Sequence, residues 1–438
     1  MDKTPPRTLA QWLAYLEQLH PQAIAMGLER VARVARALKI IPGPTSGLTP
    51  ELTPRFAIIT VGGTNGKGSC CAMLEAILLH AGYRVGCYTS PHLLRYNERV
   101  HIGGREVDDE VLCRAFARIE AARGDTSLTY FEFGTLAAIM AFGDAGVDVA
   151  ILEVGLGGRL DAVNVFDADC ALVASVDLDH QDYLGDTREA IGREKAGVFR
   201  AGRPAVCADA DPPVSLIAHA REIGADLLVI DRDFGYVAAP VQWRYWGPGG
   251  KRHGLPYPAL RGAFQLSNAA ACLTALDCLR GRLPVTAQDL RSGLLQAEVA
   301  GRFQVLPGRP QVVLDVAHNP HAARALAANL ASMPAGGRTF AVFAMFKDKD
   351  IAGVVAAAKP YITHWLVADA EGARGASAAQ LAVELERAGV TASVAQYAKV
   401  AAAWHAACDL AADNDKIIVF GSFLTVAAVM RERQLKSA

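Results

Sequence analysis

The sequence lacks a dominant charge: 44 Lys and Arg stand against 45 Asp and Glu in 438 residues, a net charge of −1. That balance argues against a single-sign surface for nucleic acid or an anionic membrane. No Cys-x-x-Cys pair occurs, and the nine cysteines, an odd number, fall mostly in apolar segments. Neither a disulfide framework nor a zinc site is therefore expected, and a reducing cytoplasm is the expected compartment. The N-terminal stretch carries Asp2, Lys3, Pro5, Pro6, Glu17 and His20, so no signal-peptide or membrane-spanning run is expected there. Internal repeats and low-complexity segments are also missing. What remains is a chain that is 52% hydrophobic, long enough for two or three domains with substantial cores.

The organising stretch is Val61-Gly62-Gly63-Thr64-Asn65-Gly66-Lys67-Gly68-Ser69. An apolar run, Phe56 to Thr60, precedes it, and apolar residues at helical spacing follow from Cys70 to His80. The order strand, glycine loop, helix is where a polyphosphate is held. Glycines let several N–H groups face one anion, the helix N-terminus adds partial positive charge, and Lys67 adds a full one. Ser69 places a hydroxyl in the first turn for phosphate or its magnesium. The pattern departs from a strict Walker A loop, because Gly68 separates Lys67 from the hydroxyl residue.

Two amphipathic helices are expected before this loop, at 9–19 and 23–38, with a break at Ile41-Pro42-Gly43-Pro44-Thr45. After it, a strand over 83–88 ends in Thr89-Ser90-Pro91, putting Ser90 at the carboxyl edge of a parallel sheet, the usual ligand side. Arg95 to Arg99 reads as a polar connection before a helix over 108–123. Thr129 to Thr135 opens another helix. The apolar run 147–152 delivers Glu153 to the same edge, ahead of a glycine-rich turn ending in Asp161. Residues 170–176 repeat the arrangement and lead to Asp177-Leu178-Asp179-His180. A hydroxyl, a carboxylate and an imidazole thus converge from three strand ends, a set able to hold magnesium beside a triphosphate. A helix is expected over 188–200, strands over 205–207 and 227–230, antiparallel hairpins between 234 and 257, and an Ala-rich helix to about residue 279. Residues 298–304, with Gly301-Arg302, read as a boundary. Beyond it, strands near 312–315, 339–343, 364–368, 393–396 and 417–420 alternate with helices. The expected class is α/β: a P-loop parallel-sheet ATPase domain over 1–298, then a smaller Rossmann-like parallel α/β domain over 299–438.

Six motifs in order narrow the field: Thr-Asn-Gly-Lys-Gly-Ser (64–69), Thr-Ser-Pro-His-Leu (89–93), Glu-Val-Gly-Leu-Gly-Gly-Arg-Leu-Asp (153–161), Asp-His-Gln-Asp (179–182), Arg-Glu-Lys-Ala-Gly (193–197) and Asp-Val-Ala-His-Asn-Pro (315–320). Together they resemble the Mur ligase superfamily, in its folylpolyglutamate synthase and dihydrofolate synthase branch. Leu128 to Glu132 and Gly134 to Leu136 are most similar to bifunctional bacterial members.

That resemblance implies an ATP-dependent amide ligase. ATP phosphorylates a carboxylate of the pterin substrate, and the amine of L-glutamate attacks the acyl phosphate. Its acceptors would be 7,8-dihydropteroate and reduced folates, with a monomer as the default state. Thr64 to Ser69 would bind ATP, Ser90, Glu153 and His180 would bind Mg2+, and Lys67, His180 and Lys195 would serve catalysis. Lys195 matches a lysine carried as a carbamate. Asn268, Arg302 and Asp315 match positions for the adenine, phosphates and ribose of ATP, with Arg302 at the boundary and Asp315 beyond it, so that closure would shelter the intermediate. His318 and Ser422 match positions associated with glutamate, and Leu28, Thr129, Phe131, Asp161 and Ala162 match the pterin site. Phe264 stands where the family often has histidine. The alternatives are a folate-only synthase, another Mur-type ligase, and a slowly hydrolysing P-loop regulator; the last would not need Glu153, His180 and Lys195 together.

Overall fold

The computed structural model describes residues 6–22, 24–41, 56–262, 264–334 and 336–437. The expected break at 42–45 and the residues Ala23 and Ala263 lie outside the described residues. The chain forms two compact units: 1–91, 96–258 and 266–297 in the first, and 92–95, 259–265 and 298–438 in the second.

The first unit is built on eight strands: β1 (Ala57–Gly62), β2 (Val85–Tyr88), β3 (Val100–Ile102), β4 (Arg105–Glu106), β5 (Val149–Glu153), β6 (Cys170–Val173), β7 (Pro204–Cys207) and β8 (Asp226–Val229). Their order is β4-β3-β2-β5-β1-β6-β7-β8. All pairings are parallel except those made by β3 and β4. β1, β2, β5 and β6 are buried along their whole length, which is why they read as continuous apolar runs. β3 and β4 were not expected: they follow Tyr96–Arg99, a 3-10 turn, and are too short and polar to show a period.

The helix expected over 23–38 begins only at Glu29 and runs to Ala37. Gly27, at φ +145°, is in a conformation that interrupts a helix. The segment before Glu29 is instead tied down by Gly27 N–H donating to Leu160 O at 3.3 Å. The helix expected over 188–200 is shorter, Arg188–Ala196. A hairpin sheet, β9 (Gly235–Ala238), β10 (Gln242–Gly247) and β11 (Gly250–Pro256), is antiparallel throughout. It is pinned by Asp277, which accepts from the Tyr245 hydroxyl at 2.8 Å, from Gly249 N–H, and from Arg252. Asp277 belongs to the helix Gln265–Cys278, so the hairpins are fixed to that helix by a buried, fully occupied carboxylate. Trp243 and Tyr245 are core residues.

The second unit has six strands: β12 (Gln304–Leu306), β13 (Gln311–Leu314), β14 (Thr339–Phe343), β15 (His364–Ala368), β16 (Ser393–Tyr397) and β17 (Lys416–Phe420). The order is β12-β13-β17-β14-β15-β16. The sheet is parallel except at β12, which pairs antiparallel with β13 and was not expected. Two apolar layers cover its faces, one around Phe343, Trp365 and Phe420 and the other around Phe340, Val419 and Trp404.

Asp415, just before β17, is 5% exposed. It accepts from Arg338 N–H at 2.6 Å, from the Arg338 guanidinium at 2.7 Å and from Ala412 N–H at 2.8 Å. The guanidinium and these donors hold its carboxyl down at about 2. A depressed folded-state value contributes stability that is present above the unfolded-state value near about 4 and is lost as pH falls toward the folded one. Asp415→Asn is expected to lower the melting temperature at pH 7, and thermal melts should show the gap to the parent closing between about pH 4 and pH 2. A gap that persists unchanged at low pH would contradict this.

Candidate active site

Chemistry gathers at the carboxyl edge of the first sheet. Residues 63–66 turn between β1 and the helix Lys67–His80. Gly63 has φ +138° and Gly66 φ +87°, values that favour glycine. A Cβ on Gly63 would lie 3.1 Å from Ala174 N, and one on Gly66 2.8 Å from Asn268 Oδ1. The turn is braced from the end of β6. Thr64 N–H donates to Ser175 O at 2.7 Å, and the Thr64 hydroxyl donates to Asp177 O and accepts from Asp177 N–H, both at 3.0 Å. Asn65 N–H donates to Ser175 Oγ at 3.1 Å, and that hydroxyl in turn reaches Asn65 O at 3.1 Å. Lys67 Nζ donates to Gly63 O at 2.8 Å and to Thr64 O at 3.2 Å, so the ammonium lies over the turn. Ser69 is buried in the first helical turn.

Of the three expected metal ligands, Ser90 and Glu153 come from the adjacent ends of β2 and β5, and His180 follows β6, which lies beyond β1. Ser90 N–H donates to Glu153 Oε2 at 2.9 Å, which joins the ends of β2 and β5. Glu153 is 2% exposed, and its other oxygen would be 4.0 Å from a Cβ on Gly68. His180 has φ +51° and caps the short helix Gln181–Leu184, with Nε2 3.9 Å from Asp179 Oδ2. Among the described residues no group of three or more His, Cys, Asp or Glu side chains is arranged for a metal ion. One carboxylate, one hydroxyl and one imidazole fit magnesium, which takes few protein ligands and completes its shell with water and phosphate oxygens.

Lys195 lies near the end of the helix Arg188–Ala196 and is 4% exposed. Gly158 lets the two segments meet, since a Cβ there would lie 3.0 Å from Lys195 O. Burial, reinforced by the nearby positive charge of Lys67, pulls the Lys195 ammonium down to about 7; Asp179 and Asp161 oppose the shift. Burial pushes Asp161 up to about 7, against donors from Leu156 and Val163 at 2.8 and 3.0 Å and the charge of Lys67.

Of the five positions expected at the pterin, Leu28, Phe131 and Ala162 belong to one apolar region, and Thr129 and Asp161 are buried polar residues. Thr129 caps the helix Tyr130–Ala145 through its hydroxyl, which accepts Glu132 N–H at 3.2 Å. Within that first turn the Phe131 ring stands against Gly155, where a Cβ would lie 2.7 Å from its edge, and 5.9 Å from the Tyr88 ring. Leu28 and Phe131 are partly buried against the core that includes Ala162.

In the second unit, Asp315 follows β13 and accepts from Phe303 N–H at 2.9 Å and Ala317 N–H at 2.7 Å. Burial raises its carboxyl value, opposed first by the charge of Arg302. The Arg302 guanidinium lies 5.1 Å from the Phe423 ring centroid. His318 Nδ1 is 2.8 Å from Val316 O, which fixes its ring. Ser422 is buried, and its hydroxyl accepts Thr425 N–H at 3.0 Å at the start of the helix Phe423–Ser437. Phe264 is 46% exposed with its ring against His321. Ser175, which braces the turn, was missed from sequence; it carried one usable signal, its place just past the end of β6.

Comparison with known proteins adds two matches and three close likenesses. Residues 61–276 match the Mur ligase middle domain, and residues 301–423 match the glutamate ligase domain of Mur ligases. A dihydrofolate synthase/folylpolyglutamate synthase of Escherichia coli (strain K12) is 46% identical over 422 residues, 96% of this chain and 94% of that protein. The structure of E. coli FolC in complex with DHPP and ADP superposes with a TM-score of 0.91 at 44% identity, covering 99% of this chain and 100% of that one. A bifunctional folylpolyglutamate synthase/dihydrofolate synthase with Mn, AMPPNP and L-glutamate bound gives 0.88 at 47% identity, with coverage of 99% and 100%.

Gly66→Ala forces a side chain into a left-handed conformation and against Asn268. Calorimetric titration with ATP is expected to show affinity weakened about tenfold or more, from a backbone cost of about 1–2 kcal/mol. Unchanged affinity in a folded variant would remove the turn from the nucleotide site.

Proposed function

Within the Mur ligase family, to which this chain belongs, we propose that it joins L-glutamate to 7,8-dihydropteroate, giving dihydrofolate, and to the glutamate chain of reduced folates. The observation that carries this is the single edge at which the braced glycine turn, Glu153 joined to Ser90, and buried Lys195 meet. A carboxylate is a poor electrophile, and converting it to an acyl phosphate supplies the leaving group that an amine needs.

The turn from Thr64 to Ser69 presents main-chain donors, and Lys67 adds a full positive charge where the transferred phosphoryl group gathers negative charge. Magnesium, held by Ser90, Glu153 and His180, would add cationic charge at the phosphates when bound. Asn268, packed against Gly66, is assigned to the adenine, with Arg302 and Asp315 to the phosphates and ribose. His318 and Ser422 are assigned to glutamate, with Ser422 acting through the helix start it caps. Phe131 offers an aromatic face to a flat heterocycle, and Asp161 and Thr129 offer oxygens to its N–H groups, with Leu28 and Ala162 as apolar walls. A carbamate on Lys195 is part of the proposal. Only a neutral amine reacts with carbon dioxide, and a group brought to about 7 is substantially neutral at physiological pH. The product is an anion that suits a site already holding Lys67.

A cytoplasmic setting and a monomeric state belong to the same proposal. Among the described residues no cysteine is joined in a disulfide, which suits a reducing compartment. Among the described residues no helix is long and apolar enough to cross a membrane.

Phosphate release with magnesium-ATP and L-glutamate is expected with either 7,8-dihydropteroate or tetrahydrofolate, matched by amide product, and not without an acceptor. Release with tetrahydrofolate alone would leave a folate-only synthase. Lys195→Ala is expected to lower kcat by about a hundredfold or more, with partial return on adding a short-chain carboxylate; full activity in the variant would discard the carbamate.

A further inference from the structure

One partly buried ion pair outside the assigned residues joins the segment before Leu28 to the start of the helix that bears Phe131. Glu132 is 4% exposed at its side chain, and its partner Arg30 is 29% exposed. Glu132 Oε2 accepts Thr129 N–H at 2.7 Å, the return half of a capping box. Arg30 Nη2 donates to Glu132 Oε1 at 3.0 Å, and Arg30 Nε reaches Oε2 at 3.4 Å. The same Nη2 donates to Ala25 O at 2.7 Å. One guanidinium therefore fastens the segment before Leu28 to the helix start that bears Thr129 and Phe131. On its far side the same segment is joined to the glycine-rich turn: Gly27 N–H donates to Leu160 O at 3.3 Å, and Met26 Cε lies 3.4 Å from the place of a Cβ on Gly157. The next residue along that turn is Asp161.

We propose that Arg30 and Glu132 are positioning residues that set the width of the pterin site by locking the Ala25–Leu28 segment between the Thr129 cap and the Leu160–Asp161 turn. This rests on the pterin assignment made above. The segment has no regular secondary structure, so its place is not fixed by a helical or strand ladder. Arginine suits the task because its planar fork reaches a carboxylate and a carbonyl at once, which a lysine ammonium on a flexible stem does less well. Neither side chain is required to touch the substrate.

The test compares Arg30→Ala, Arg30→Lys, Glu132→Gln and the double variant Arg30→Ala with Glu132→Gln. Glu132→Gln keeps an oxygen for Thr129 N–H, so the cap and the fold survive while the charge-assisted pair is lost. KM for dihydropteroate is expected to rise about tenfold in Arg30→Ala and Glu132→Gln, the loss of one charge-assisted pair. Values of kcat and of KM for ATP and glutamate should stay within about twofold, Arg30→Lys should fall between, and the double variant should be no worse than the poorer single one. Equal loss across all three substrates, or additive losses, would overturn the proposal. Amide hydrogen exchange over residues 24–28 should speed up in both single variants. A parent protein with no pterin-dependent turnover would refute the pterin assignment rather than the lock. The exchange result then decides whether the ion pair holds the segment, and unchanged exchange overturns it.

Discussion

The site depends on β1 lying between β5 and β6 in parallel register. Val61 stands beside Glu153, and Gly62 beside Val173. That register puts the last carboxylate of β5 at one flank of the glycine turn, and Ser175 and Asp177, just past β6, at the other. Ser175 and Asp177 then meet the turn through five hydrogen bonds between 2.7 and 3.1 Å. A shift of either neighbour by one residue would reverse which side chains point to the edge. The turn itself contributes little to its own rigidity, because its glycines are chosen for freedom; its shape comes from the strands beside it.

The same edge concentrates charge that water would otherwise screen. Lys67 and Lys195 are near enough for one to lower the other, and Asp161 and Asp179 sit in the same field. A buried lysine beside the partly exposed Lys67 is unfavourable as an ammonium without anions, which is why its charge is suppressed. Phosphate, a carbamate and carboxylates each answer that imbalance, so binding a polyphosphate relieves a repulsion as well as forming new bonds. Asp161 is moved the opposite way by burial, so that near neutral pH it is partly protonated.

Much of this was legible in the sequence because buried parallel strands are continuous apolar runs, and each ends in a polar residue at a predictable edge. Ser90, Glu153 and the Asp177–His180 stretch were placed by that rule alone. The lysine in the helix 188–196 was legible only through family resemblance, since nothing in Arg-Glu-Lys-Ala-Gly marks it as buried. What stayed hidden depended on tertiary contact. β3, β4 and β12 are too short to show a period and exist because an edge strand is available to pair with. The early start expected for the helix that begins at Glu29 followed its periodicity, which tertiary fastening at Gly27 and Arg30 overrides. Ser175 looks like any small residue until the turn it braces is in view.

The central claim is that the pterin carboxylate itself receives the phosphoryl group before nitrogen attacks. It is tested most directly with dihydropteroate whose carboxylate is labelled with oxygen-18, turned over with ATP and L-glutamate and followed by mass spectrometry of the released phosphate. The account predicts one labelled oxygen transferred to each phosphate formed. Unlabelled phosphate accompanying full amide formation would contradict it.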